Sequence, residues 1–163
     1  MLPSEEKIVA LPQLLTKVEE WRAQGQKIVF TNGCFDIVHV GHVDYLERAR
    51  LLGDKLVVGL NTDQSVSRIK GPSRPLQDEM SRIRVMASFW FTDAIVLFDQ
   101  ETPRELIQAI GPDVLVKGDD YAIENIVGHD IVQARGGAVE TIPLVKGYST
   151  SQVVNKILGD QHS

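Results

Sequence analysis

Apolar and polar positions follow one another in two rhythms along this chain, and the order of the rhythms defines an architecture. Leu11, Leu14, Leu15, Val18 and Trp21 recur at helical spacing, which predicts an amphipathic helix over 11–24, ended by Gly25. Lys27-Ile28-Val29-Phe30 is a short run with β-branched residues, the pattern of a buried strand. Helical spacing returns at Val43, Leu46, Ala49 and Leu52, closed by Gly53, and 55–60 is a second apolar strand. Such a β-α-β unit is right-handed in nearly all proteins, so the two strands are parallel with their carboxyl ends on one edge. The alternation continues with a helix over 78–90, a strand over 94–98 and a helix over 103–110, with Pro103 in its first turn and Thr102 as its cap. A strand over 114–116, a helix near 126–135, a strand over 138–142 and a helix over 150–158 complete it. This order predicts an α/β fold, a single doubly wound parallel sheet with helices on both faces. Its ligands belong above the carboxyl ends of the strands, where the strand order reverses.

Composition narrows the class. A chain of 163 residues, 43% hydrophobic and 24% charged, is the size of one globular domain with a real core. We divide it into an N-terminal helical extension, 1–26, packed on a domain over 27–163 that carries the chemistry. A formal net charge of −5 argues against a protein that coats nucleic acid, which needs surplus Lys and Arg to displace counterions. A small anionic ligand remains compatible, since only its pocket must be basic. Cys34 is the sole cysteine, so no intramolecular disulfide forms, and its place in a turn suits a small residue better than a nucleophile. The start Met1-Leu2-Pro3-Ser4-Glu5-Glu6-Lys7 has no apolar core, and no later apolar run approaches ~20 residues. A cytoplasmic location without membrane contact is expected.

The chemistry concentrates in Phe30-Thr31-Asn32-Gly33-Cys34-Phe35-Asp36-Ile37-Val38-His39-Val40-Gly41-His42, which joins the first strand to the second helix through a turn hinged at Gly33. A helix beginning near Gly41 aims unpaired N–H groups and a positive dipole end over the strand, which favours an anion. His39 and His42 add side-chain donors. Two histidines three apart also suit a zinc site or ordinary structural roles, but Cys34, Asp36 and His129 complete no recognised zinc spacing around them. Asn61-Thr62-Asp63 reads as a helix cap. Residues 67–75 hold Arg68, Lys70 and Arg74 among Gly71, Pro72 and Pro75, so they cannot be regular helix throughout. They form either a solvated basic loop or a mobile lid that closes a cation over transferring phosphate. Lys117-Gly118-Asp119-Asp120-Tyr121 is a turn or a pocket wall, and Tyr148-Ser149-Thr150-Ser151 a helix cap, a second phosphate cradle, or both.

The string Thr-Asn-Gly-Cys-Phe-Asp-Ile-Val-His-Val-Gly-His resembles the signature of the cytidylyltransferase-like nucleotidyltransferases, whose His-x-Gly-His element binds nucleotide phosphates. Residues 68–75, 117–121 and 147–151 look like later motifs of one branch, the D-glycero-β-D-manno-heptose 1-phosphate adenylyltransferases. The resemblance implies a Rossmann-like domain that transfers AMP from ATP to a sugar 1-phosphate and releases pyrophosphate. It implies catalytic roles for His39, His42 and Lys70, and nucleotide contacts from Thr31, Asn32, Gly33, Cys34, Phe35, Gly41, Lys117, Ser149, Thr150 and Ser151. Asp36, Arg68, Arg74, Asp120 and Tyr121 are the implied substrate-binding residues. Where the family usually has Ser-Thr-Thr this chain has Ser149-Thr150-Ser151, which keeps the hydroxyl. Mg2+ is expected with ATP, held mostly by phosphate oxygens, with Asp36 helping that ion, orienting a histidine or fixing the turn.

The implied partners are ATP and a sugar 1-phosphate, without nucleic acid or membrane. Many members of the branch carry a kinase domain, for which 163 residues leave no room, so a separate sugar kinase is expected to supply the substrate. A homodimer is a further expectation, with Trp90 or Phe91 placed at its interface or in the core. Two other readings stay open. A cytidylyltransferase acting on glycerol phosphate or another phosphorylated alcohol would use the same motif, and a non-catalytic nucleotide-binding or signalling module would share the fold. A dinucleotide oxidoreductase would carry Gly-x-Gly-x-x-Gly after its first strand, and that string is missing.

Overall fold

A computed structural model describes residues 1–159; positions 160–163, the end of the expected 27–163 domain, lie outside the described residues. Five strands, β1 (Ile28–Gly33), β2 (Lys55–Asn61), β3 (Ala94–Phe98), β4 (Val114–Gly118) and β5 (Ala138–Ile142), form one sheet in the order β3-β2-β1-β4-β5. Every strand pair is parallel. The chain winds outward from β1 to one edge, then crosses back to β4 and out to the other, so the order reverses between β1 and β4.

The helices are α1 (Leu11–Ala23), α2 (Val40–Arg50), α3 (Asp63–Lys70), α4 (Glu79–Ala87), α5 (Arg104–Ile110), α6 (His129–Ala134) and α7 (Thr150–Leu158). Two apolar layers separate them. Leu46 and Ala49 of α2 and Ile83 and Met86 of α4 pack on Val29, Val58 and Ile95 on one face of the sheet. On the other face Leu14 and Val18 of α1, Ile107 and Ile110 of α5 and Val132 of α6 meet Phe30, Val57 and Leu115. Residues 1–26 are built into both layers: Leu14 of α1 is fully buried in the second, Ile8 packs against the first, and the Val9 N–H donates to the Ile95 carbonyl at 3.0 Å on the β3 edge. Phe91 is a core residue at 2% exposure, whereas Trp90 stands 67% exposed. Among the described residues no helix is long and apolar enough to cross a membrane.

Several element bounds differ from the sequence pattern for identifiable reasons. β1 runs on past Phe30 because Thr31, Asn32 and Gly33 keep register with Val58, Gly59 and Leu60 of β2, although the apolar run has ended. The 78–90 helix starts on its cap, Asp78, whose carboxylate accepts from Ser81 N–H at 2.7 Å, and stops at Ala87. Pro103 is itself the N-cap of α5 and Thr102 makes no capping bond. The helix expected near 126–135 is shorter, because a 3-10 turn, Ile123–Asn125, and a left-handed Gly128 precede it. Thr62 caps α3 through the Ser65 N–H, as the Asn61-Thr62-Asp63 pattern suggests. The first half of the basic 67–75 segment is not loop but the last turn of α3.

Candidate active site

At the point where the strand order reverses, a cavity of about 410 Å3 opens above β1 and β4. The starts of α2 and α7 face each other across it. Thr150 at the start of α7 donates through Oγ1 to the Ile37 carbonyl at 3.3 Å, which ties that helix to the turn before α2. Ser149 caps α7 by accepting from the Gln152 N–H at 3.1 Å.

The histidine pair has a defined protonation geometry. His39 is the N-cap of α2, and its Nδ1 accepts from the Gly41 N–H at 3.1 Å. His42 Nδ1 accepts from the His39 N–H at 3.3 Å, and the rings stack with centroids 3.9 Å apart. Both Nδ1 lone pairs are thus occupied by main chain, which leaves each neutral ring an Nε2–H to donate. Burial holds both histidines neutral: it lowers His39, and it brings His42 down to about 4, with repulsion from His39 and Lys70 adding to the effect. The pair therefore presents N–H donors at neutral pH and offers no free base. This narrows the expectation that the first amides of α2 are open to a ligand: His39 Nδ1 takes Gly41 N–H and the His39 carbonyl takes those of His42 and Val43, which leaves the Val40 N–H as the first-turn amide without a partner among the described residues.

Gly41 is required for that fold-back. A Cβ there would stand 2.9 Å from Cε1 of His39, closer than real contacts allow. Gly41→Ala is expected to swing the His39 ring off the helix end and to cost at least tenfold in turnover with little loss of stability. Steady-state kinetics beside a thermal melt separate the two quantities. Gly33, by contrast, is not the hinge: it ends β1, and the left-handed turn residue is Phe35 at φ 47°. The Phe35 ring lies over Gly33, where a Cβ would come within 2.9 Å of it, and meets the His42 ring edge-on at 5.3 Å.

Cations surround the histidines. Lys70, the last residue of α3, Arg74 in the following loop and Lys117 of β4 all line the cavity. Lys117 Nζ donates to the Asn32 carbonyl at 3.3 Å, and burial lowers its pKa to about 8. Arg74 Nε donates to Asp36 Oδ2 at 2.7 Å, while its Nη2 is buried and unpartnered among the described residues. Asp36 also accepts from the Leu76 and Gln77 amides. Burial pushes its carboxyl up, but those amides and the Arg74 guanidinium outweigh that and hold it below the usual carboxylate range. With its oxygens so engaged, Asp36 anchors the loop that bears Arg74 and is not open to a histidine or a metal ion.

Asn32, Gly33, Cys34, Phe35, Asp36, His39, Gly41, His42, Lys70, Arg74, Lys117, Asp120, Tyr121, Ser149, Thr150 and Ser151 all line this one cavity. Two candidates do not. Thr31 is fully buried in β1, its hydroxyl bonded to Tyr45 Oη at 2.7 Å and to the Val116 carbonyl at 3.1 Å. Arg68 points away, onto the carboxylate and carbonyl of Asp99. Conversely, Tyr45, Leu144 and Val145 line the cavity without having been singled out. Tyr45 lies on the inward face of a helix and reads as core, whereas Leu144 and Val145 lie between β5 and α7, where no strand or helix pattern marks them. Among the described residues no group of three or more His, Cys, Asp or Glu side chains is placed to cage a metal. Among the described residues the carboxylates lining the cavity are the engaged Asp36 and Asp120, a donor set that fits a divalent ion held chiefly by substrate phosphates.

Known proteins resemble this chain in sequence and in fold. The profile of the Cytidylyltransferase-like family matches residues 30–156. The chain is 54% identical over 155 residues to the bifunctional protein HldE of Citrifermentans bemidjiense, covering 95% of this chain and 32% of that protein. It is 59% identical over 139 residues to the bifunctional protein HldE of Azorhizobium caulinodans, covering 85% of this chain and 29% of the relative. The chain thus spans about a third of the length of the curated relatives it matches. Among solved structures, the lipopolysaccharide core biosynthesis protein of Thermoplasma volcanium superposes with a TM-score of 0.59 at 28% identity, covering 76% of this chain and 99% of that one. Pantoate-beta-alanine ligase of Francisella tularensis shares the fold, with a TM-score of 0.58 at 16% identity over 93% of this chain and 77% of its own.

Proposed function

Since the chain belongs to the cytidylyltransferase-like family, we propose that it transfers AMP from MgATP to D-glycero-β-D-manno-heptose 1-phosphate, giving ADP-heptose and pyrophosphate. The observation that carries the reading is the pair of neutral Nε2–H donors beside Lys70, Arg74 and Lys117. A phosphate oxygen of the sugar phosphate attacks the α-phosphorus, and the bond from that phosphorus to pyrophosphate breaks. The nucleophile is already an oxyanion, so the absence of a free lone pair on either imidazole is no handicap. The protein aligns the reactants and stabilises charge on the phosphoryl oxygens. Both histidines and Lys70 serve that role, Lys117 grips phosphate, and Arg74 offers Nη2 to the acceptor phosphate. Asn32, Gly33, Cys34, Phe35 and the 149–151 hydroxyls bound the nucleotide, while Asp120 and Tyr121 face substrate hydroxyls. The sugar 1-phosphate comes from a phosphorylating enzyme activity, and the product is an activated sugar for a glycosyl transfer.

Pyrophosphate release tests the reading. With heptose 1-phosphate, MgATP should support turnover that MgCTP does not, and the product should have the mass of an ADP-sugar. Faster turnover with CTP and glycerol phosphate would replace it with the cytidylyltransferase reading.

Lys117 adds a pH signature. Because its pKa lies at about 8 in the free protein, the ammonium is present below that pH and lost above it. The kcat/KM for ATP is expected to fall through about pH 8, and kcat at saturation to fall at higher pH, since bound phosphate favours the charged form. Lys117→Met should abolish the alkaline limb and lower kcat/KM across the whole range.

A further inference from the structure

The crevice between β1 and β4 continues past the phosphate cavity. The β1-to-β2 crossover carries α2 on one face of the sheet and the β3-to-β4 crossover carries α5 on the other, so the gap at the carboxyl ends opens to both faces. On the α5 side lies a second cleft of about 170 Å3, between the segment leading into α5 and the 3-10 turn Ile123–Asn125. Asn32, Lys117 and Tyr121 line both volumes and form the saddle between them.

The cleft differs chemically from the cavity it adjoins. Its other polar walls are Glu101, Thr102 and Asn125, a carboxylate, a hydroxyl and a carboxamide. On the saddle the Oδ1 of Asn32 is buried and has no hydrogen-bond partner among the described residues. Lys117 is the one cation lining the cleft among the described residues, and its ammonium is turned to the Asn32 carbonyl at 3.3 Å. A second phosphate would meet the Glu101 carboxylate there. A neutral group rich in hydroxyls, each able to donate and accept, satisfies the carboxylate, the amide and the orphaned Asn32 oxygen together. Size points the same way. A volume of about 170 Å3 lies below the range of pockets for drug-sized ligands, and 410 Å3 lies within it, so the larger volume suits a nucleotide and the smaller a single sugar ring.

Building on the reading of the preceding subsection, we propose that this cleft is the subsite for the hydroxyl groups of the acceptor sugar. The substrates then straddle the sheet: nucleotide on the α2 side, sugar on the α5 side, and the phosphates they exchange above Lys117. Glu101, Thr102 and Asn125 decide which sugar is accepted and contribute little to holding ATP.

Kinetics of Glu101→Gln, Asn125→Ala and the Glu101→Ala, Asn125→Ala double variant test this, since both side chains are exposed and neither belongs to the core. The double variant should raise KM for heptose 1-phosphate about tenfold or more, with Glu101→Gln intermediate, while KM for ATP stays within about twofold. Turnover of glycerol 3-phosphate, which has no ring to place, should change by less than about twofold in every variant wherever the parent uses it. A rise in KM for ATP in place of that for the sugar phosphate overturns the assignment by giving the cleft to the nucleotide. Unchanged KM for both substrates overturns it as well. A parent protein that turns over no sugar 1-phosphate with ATP defeats the underlying reading and this subsite with it, an outcome separate from the other two because it shows before any variant is made.

Discussion

The double substitution His39→Ala, His42→Ala is expected to reduce kcat about a thousandfold while the protein remains folded. Removal of one preorganised donor from a developing oxyanion typically costs ~3 kcal/mol, a hundredfold or more. The two rings stack at 3.9 Å and share one network, so their contributions are not additive, and the double variant should fall short of the product of the singles. Each ring also accepts a main-chain N–H, so loss of His39 removes a helix cap, worth ~1 kcal/mol. His39→Asn separates the two roles, because an asparagine oxygen caps as well as an imidazole nitrogen but places no donor where Nε2–H stood. It should melt with the parent and turn over as slowly as His39→Ala. Single-turnover formation of ADP-sugar reads this directly, and a double variant at the parental rate would sink the proposed mechanism.

The burial that keeps these rings neutral has a cost in acid. His42 falls from 6.5 to about 4 in the folded protein, so between those values the unfolded chain binds the proton and the folded chain does not. Stability should therefore decline as pH drops from about 6.5 to about 4 and then level, by up to ~3 kcal/mol from this residue. Urea denaturation at pH 7 and pH 4.5 should show the decline in the parent and a smaller one in His42→Ala.

How much of this was legible in the sequence depends on whether a residue's role is local. The rhythm of apolar positions identified each strand, and the connection rule placed their carboxyl ends on one edge, so segments as far apart as 32–42 and 149–151 were expected to converge, as they do. What pattern reading could not see was where a polar side chain is used up. Thr31 stands in the motif, yet its hydroxyl is held by Tyr45 and Val116 in the sheet. Arg68 and Lys70 sit two apart on a helix and so face different ways, one to Asp99 and the other to the cavity. Asp36 looks like a ligand by its neighbours in sequence and is an anchor by its neighbours in space, Arg74, Leu76 and Gln77. Such distinctions rest on contacts from 14 to 85 residues apart, which no local window contains.

Arg82 is the strongest case of this kind, and Arg82→Met is expected to destabilise the fold by about 3 kcal/mol and to slow turnover as well. Its side chain is fully buried, donating from Nη1 to the Cys34 carbonyl at 2.7 Å, from Nη2 to Asp63 Oδ1 at 2.8 Å and from Nε to the Gln77 carbonyl at 3.0 Å. One guanidinium thus fastens the histidine-bearing turn, the start of α3 and the end of the Arg74 loop to α4. The sequence hint was an arginine beside Ile83 and Met86 on the buried side of that helix, a position where a charge persists only if fully partnered. Methionine fills the volume but leaves the two main-chain acceptors unpaired, at ~1–3 kcal/mol each. Asp63 adds little to the penalty, because its carboxylate is 40% exposed and water can solvate it. Lysine should not rescue the site, since a single ammonium cannot reach three acceptors in the directions a guanidinium does. The melting temperature should drop by about 6–12 °C, and at a temperature where the variant is still folded kcat should remain depressed, because Lys70 and the His39–His42 turn would no longer share an anchor. A variant that melts low but turns over normally when folded would make Arg82 a core residue only, with no part in positioning the site.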